Sequence, residues 1–192
     1  MPLNVPNVLT WLRIIAIPLL VALFYLPDAW LRPHDKNLVA CVLFTAAAIT
    51  DWLDGYLARR LDQQSAFGAF LDPVADKLIV AAALIMLVEL NRLPGFIAVI
   101  IIGREITISA LREWMAKLGR AKSVAVNFLG KIKTVAQLVA IPMLLYHDRI
   151  GVFDPARVGT WLIYLAAALT IVSMVYYLKL AAPHAFGGPG RP

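Results

Sequence analysis

Six long apolar stretches, at about residues 8–27, 38–59, 68–90, 93–117, 124–146 and 158–180, leave this chain few ways to fold. Each is close to the 20 or so residues that an α-helix needs to cross the hydrocarbon layer of a bilayer. Backbone in lipid must satisfy its own hydrogen bonds, and joined by short loops these segments can do so only as helices. The expectation is an all-α fold, an integral membrane bundle of six transmembrane helices. Composition points the same way, since 61% of the 192 residues are hydrophobic and 16% charged, more apolar than an ordinary soluble domain.

Positive charge sets the orientation, because Lys and Arg are retained on the cytoplasmic side. With the N-terminus inside, only Arg32, Lys36, Arg92, Arg149 and Arg157 of the 18 basic residues fall on the far side. Both termini are therefore expected in the cytosol. No soluble basic domain exists to carry a duplex, so the net charge of +6 speaks for phosphates and anionic membrane lipids and against a nucleic-acid partner. No basic residue precedes Arg13 and no small-residue cleavage pattern follows the apolar run ending at Pro27, so the first segment is expected to stay as a helix. Cys41 has no second cysteine to pair with. The organisation is one domain over residues 1–182, followed by a flexible Gly/Pro-rich tail over 183–192.

Against this background the segment DWLDGYLARRLDQQSAFGAFLDPVAD, Asp51 to Asp76, is anomalous. Residues three, four and seven apart share a helix face, so Asp51, Asp54, Gly55 and Ala58 form one column and Gly68, Asp72 and Asp76 another. A short connection makes the two helices antiparallel neighbours and brings four carboxylates to one depth near the cytoplasmic surface. Such hard oxygen ligands suit Mg²⁺ or Mn²⁺. Asp72 and Asp76 also lie early in a helix, where carboxylates act as simple caps. Asp51 and Asp54 approach a helix C-terminus, where negative charge is unfavourable and a cation supplies the compensation. Gly55, Ala58 and Gly68 permit close approach, either of a helix or of a nucleotide, and Arg59 offers a fork of donors to a diphosphate.

Abstracted as D-x-x-D-G-x-x-A-R, eight residues, then G-x-x-x-D-x-x-x-D, this segment resembles the signature of the CDP-alcohol phosphotransferases, membrane enzymes that move a phosphate-linked group from a CDP-activated donor to an alcohol. NVPNVLTWLRIIAIP near the N-terminus and GREITISALREWMAKLGRAKSVAVNFLGKIKTVAQ extend the likeness, over about residues 4–140, to the bacterial branch that joins glycerol 3-phosphate to CDP-diacylglycerol. The resemblance implies attack of the acceptor hydroxyl on the lipid-side phosphorus, with CMP leaving. It implies two divalent ions held chiefly by Asp51, Asp54 and Asp72, with Asp76 as general base and auxiliary ligand, and a homodimer whose cleft opens to cytosol and lipid.

Asn7, Thr10 and Arg13 recur every three residues as a polar stripe and are candidates, with Asp54, Gly55, Ala58, Arg59 and Gly68, for CDP-diacylglycerol contact. Thr10 can instead bond its own backbone, and Arg13 can snorkel. Arg104, Thr107, Arg112, Lys131 and Lys133 are the cations and hydroxyl available to the phosphate of glycerol 3-phosphate. The two lysines point about 200° apart, so one of them reaches substrate. Glu105 and Arg112, seven residues apart, can simply pair. Two alternatives stand beside this reading: a related transferase using inositol phosphate, serine or a lipid, and a divalent-cation transporter. The transporter would want charges near the midplane and interrupted helices, whereas here the acidic residues gather at one interface.

Overall fold

The computed structural model describes the backbone of residues 5–61, 66–118 and 128–186, and the side chains within 9–51, 70–118 and 132–182. Among the described residues the chain is all helical, with α1 Val5–Tyr25, α2 Pro33–Leu61, α3 Ala66–Glu89, α4 Gly95–Lys117, α5 Phe128–Tyr146 and α6 Pro155–Phe186. The only strand-like pairing there is an isolated bridge between Ile150 and Phe153. Each helix coincides with one of the six apolar stretches. Residues 187–192 of the expected tail lie outside the described residues.

The helix ends are set by local chemistry. Leaving α3, Asn91 takes a left-handed conformation at φ 56°. This lets the Arg92 and Leu93 amides fold back onto the Leu87 carbonyl at 2.8 and 3.2 Å, a helix stop of the kind that Asn tolerates. Asp154 starts α6 by accepting the Arg157 amide at 3.0 Å, with Pro155 at the first helical position, where its missing N–H costs nothing.

These ends meet in a polar knot. One Arg92 guanidinium nitrogen donates to the Leu145 carbonyl at 2.7 Å and to that of Leu144 at 3.3 Å, and the other donates to Asn37 Oδ1 at 2.7 Å. Asn37 Nδ2 in turn donates to Asp148 Oδ2 at 3.2 Å, and His34 Nδ1 lies 2.8 Å from the same oxygen. The knot joins the start of α2, the α3–α4 turn and the end of α5.

The core draws on every helix: Leu20 on α1, Phe44 on α2, Leu84 and Leu87 on α3, Ile101 on α4, Ile141 and Leu144 on α5, and Ile163 on α6. Gly159 lets α6 lie close to α5, since a Cβ there would stand 3.0 Å from Leu144 Cγ and 3.1 Å from the Ala140 carbonyl oxygen. A smaller cluster of Ile108, Met115, Tyr177 and Ala181 seals α4 against α6. The outward faces are as apolar as the interior, with Ile15, Val42, Ile85, Val99, Val135 and Val172 all exposed. Among the described residues, one segment, Pro155–Ala182, is long and apolar enough to cross a membrane, and Leu9–Tyr25 and Ile132–Tyr146 are shorter apolar helices.

Candidate active site

Between α1, α2, α3, α4 and α5 lies a cavity of about 450 Å³. Carboxylates and cations share its lining. Asp51 of α2 and Asp76 of α3 line the side of those helices, with Lys77 beside Asp76; Arg104 and Arg112 of α4 line the side of that helix, with Glu105 of α4 and Thr134 and Gln137 of α5.

On the acidic side α1 supplies the compensation. Arg13 is almost wholly buried, its guanidinium lying 3.1 Å from Asp51 Oδ1 and hydrogen-bonded to Asp76 Oδ1 through the same nitrogen. One turn earlier, the Thr10 hydroxyl donates to Asp72 Oδ1. The polar stripe of α1 thus reaches across the bundle to the aspartates: Arg13 does not snorkel outward, and Thr10 bonds a carboxylate. A guanidinium between two carboxylates shows that this wall requires positive charge. The Asp51 and Asp76 side chains keep 45% and 38% of their surface open, so oxygens remain for a hard cation and the residues fit one. Among the described residues no three acidic, imidazole or thiol groups cluster as a metal cage. Asp54, assigned to that cluster from the sequence, lies outside the described side chains, as do Asn7, Gly55, Ala58, Arg59, Gly68 and Lys131.

On the basic side the partners differ from the sequence expectation. Glu105 does not pair with Arg112. Its Oε1 accepts from Lys133 and lies 3.1 Å from an Arg104 nitrogen, because the long Lys133 side chain reaches it from α5, while the Arg112 guanidinium, seven residues along α4, lies over the Tyr177 ring of α6. Lys133 is 2% exposed and is bound to this carboxylate. Arg104, 5% exposed, also donates to the Ser173 hydroxyl on α6 at 3.2 Å. Its Nε, like the Gln137 amide nitrogen, is buried with no hydrogen-bond partner among the described residues. Buried donors left over in a cavity wall mark a place for an anionic or carbonyl acceptor. Thr107 bonds its own helix at the Gly103 carbonyl, 2.7 Å away, and is exposed; it is absent from the cavity lining.

Gln137, Ser173 and Tyr177 are site neighbours to which sequence reasoning assigned no role. In an apolar run a glutamine, serine or tyrosine at helical spacing looks like any packed residue, and only the neighbouring helices reveal its partner.

The profile of the CDP-alcohol phosphatidyltransferase family matches residues 3–172. A protein of Salmonella choleraesuis strain SC-B67 named CDP-diacylglycerol–glycerol-3-phosphate 3-phosphatidyltransferase is 50% identical over 186 residues, covering 94% of this chain and 96% of its own length. Proteins of the same name in Shigella flexneri serotype 5b and Escherichia coli K12 are 50% and 49% identical over the same shares. The chain belongs to the CDP-alcohol phosphatidyltransferase family.

Proposed function

We propose that this protein transfers the phosphatidyl group of CDP-diacylglycerol to glycerol 3-phosphate, giving phosphatidylglycerophosphate and CMP. One observation carries the proposal: a single cavity sets carboxylates against guanidinium groups, as a metal-assisted transfer onto a phosphorylated alcohol demands. Near-full-length identity of about half with enzymes named for that reaction supports it.

In this reading Asp51, Asp54 and Asp72 hold two divalent ions, Mg²⁺ or Mn²⁺, with an oxygen of Asp76 assisting. The chemistry such ions supply when bound is polarisation of the diphosphate and neutralisation of the departing CMP. Asn7, Thr10, Arg13, Gly55, Ala58, Arg59 and Gly68 form the donor side, where small residues admit the nucleotide and the arginines face the diphosphate. Arg104 and Arg112, with Lys131 or Lys133, hold the phosphate of the acceptor. That places the acceptor hydroxyl toward Asp76, whose carboxylate takes the proton as the oxygen bonds to the lipid-side phosphorus and the bond to CMP breaks.

The domain is a six-span bundle in the bacterial cytoplasmic membrane, with both termini and the active site facing the cytosol, and it works as a homodimer. The apolar outer faces support the membrane setting, as does the placement of aromatic residues. Trp30 and Trp161, 79% and 75% exposed, sit toward the loop end of the bundle, and Trp11 lies toward the other, the positions of membrane-interface anchors.

The test is CMP release by purified protein in detergent, with CDP-diacylglycerol, Mg²⁺ and a panel of alcohols. Release with glycerol 3-phosphate alone is the expected result. Release with inositol phosphate or serine instead would reassign the acceptor, and none with any alcohol would end the enzyme reading.

A further inference from the structure

Tyr177 stands out behind the basic wall. It is 0% exposed, belongs to α6, and does not line the cavity. Its ring nevertheless faces both guanidinium groups that do, with Arg104 Cζ at 5.8 Å and Arg112 Cζ at 5.6 Å from the centroid. Two cations of α4, eight residues apart, are thereby referred to one rigid aromatic surface. One turn before it on α6, Ser173 accepts from Arg104 at 3.2 Å while donating to the Thr170 carbonyl at 2.9 Å. The helix thus fixes Arg104 by a directional bond and supports both arginines by a ring face.

Two guanidinium groups near one another repel, and each has long side-chain freedom to lose on binding a dianion. An aromatic face offsets both costs. It attracts each cation, and it holds the forks before the anion arrives, so less ordering remains to be done on binding. The small cluster of Ile108, Met115, Tyr177 and Ala181 keeps the ring itself in place.

We infer that Tyr177 is a positioning residue for the acceptor, acting through Arg104 and Arg112 to preset the site that takes the phosphate group. The inference rests on the proposed acceptor chemistry and extends it to a helix to which the sequence assigned no role.

The experiment compares wild type, Tyr177→Phe and Tyr177→Leu, all purified in detergent, with KM measured separately for glycerol 3-phosphate and for CDP-diacylglycerol. Tyr177→Leu should raise the KM for glycerol 3-phosphate about tenfold, equivalent to about 1.4 kcal/mol, while the KM for CDP-diacylglycerol stays near that of wild type. Tyr177→Phe, which keeps the ring, should restore the acceptor KM. If Tyr177→Leu does not fold, a pentafluorophenylalanine placed at 177 keeps the shape and inverts the charge of the ring face. It should then raise the acceptor KM relative to Tyr177→Phe. Equal rises in both KM values, an unchanged acceptor KM, or equality of the fluorinated and plain rings would each overturn the inference. Failure of the proposed function itself is read separately, as absence of glycerol 3-phosphate-dependent CMP release by the wild type.

Discussion

Arg13→Ala is the most exacting perturbation of the acidic wall. The arginine side chain is 1% exposed, while its partners Asp51 and Asp76 are 45% and 38% exposed. At 3.1 Å and an effective dielectric near 20, one such pair is worth roughly 5 kcal/mol of Coulomb attraction before desolvation is counted. Removing one partner of a fully buried pair costs about 3–5 kcal/mol, because the other charge is stranded. Here the stranded carboxylates regain water, so the expected loss is about 2–3 kcal/mol. For a chain of this length that corresponds to a fall in Tm of about 5–10 °C. The assay is thermal unfolding in detergent with EDTA, repeated in saturating Mg²⁺. A ligand at a hundredfold over its Kd adds about 2.7 kcal/mol, so the ion should take over the compensation and narrow the gap between variant and wild type. A variant that melts within about 1 °C of wild type in EDTA would show that the two carboxylates do not depend on Arg13. A variant whose Tm is itself untouched by Mg²⁺ would show that no cation binds between them.

Chelation should abolish CMP release, and Mg²⁺ or Mn²⁺ should restore it. Asp76→Asn should retain donor binding but lose about 10²–10⁴ in kcat, the usual share of a positioned general base. Excess Mg²⁺ should partly rescue Asp51→Asn or Asp72→Asn and leave Asp76→Asn inactive; rescue of all three would make Asp76 an ordinary ligand. In the loop knot, burial alone would raise the Asp148 carboxyl, but hydrogen bonds from Asn37 and His34 and the charges of His34 and Arg92 hold it below the ordinary carboxylate value. Its stabilisation is therefore present above about pH 3.9 and lost as pH falls through the lower folded value. The difference in Tm between wild type and Asp148→Asn should close as pH falls below about 4. A difference that grows below that pH would contradict this sign.

The six helices were legible because each is marked by apolarity, but apolarity marks contact with apolar surroundings rather than hydrogen bonding. That is why α2 begins at Pro33, ahead of the apolar run. Its first turn is polar, yet Pro33 suits the first helical position and Asp35 the positive end of the dipole. For the same reason α6 runs on to Phe186, past the last strongly apolar residues. The aspartates were legible because charge in an apolar run requires a reason. Their partners were not, since helical spacing shows neighbours on one helix only: Arg13 and Asp76 are 63 residues apart. The same limit hid the partners of Glu105: spacing offered Arg112 on the same face as an alternative, while Arg104 beside it and Lys133 on another helix are the groups it meets.

The knot around Arg92 also bears on how the protein is made. In the proposed topology helices enter the membrane in chain order, so Arg92 reaches the far side while α5, whose last carbonyls it will bond, is still to come. Asp148, which closes the ring through Asn37 and His34, follows only after α5 has crossed. Until then that cation and the Asn37 amide have only each other and water as partners. If α5 inserts backwards, its C-terminal carbonyls and Asp148 are left on the wrong side of the bilayer, and of the knot only the Arg92–Asn37 bond can form. In that topology the knot closes in full only in a chain that has threaded its fifth helix in the right direction.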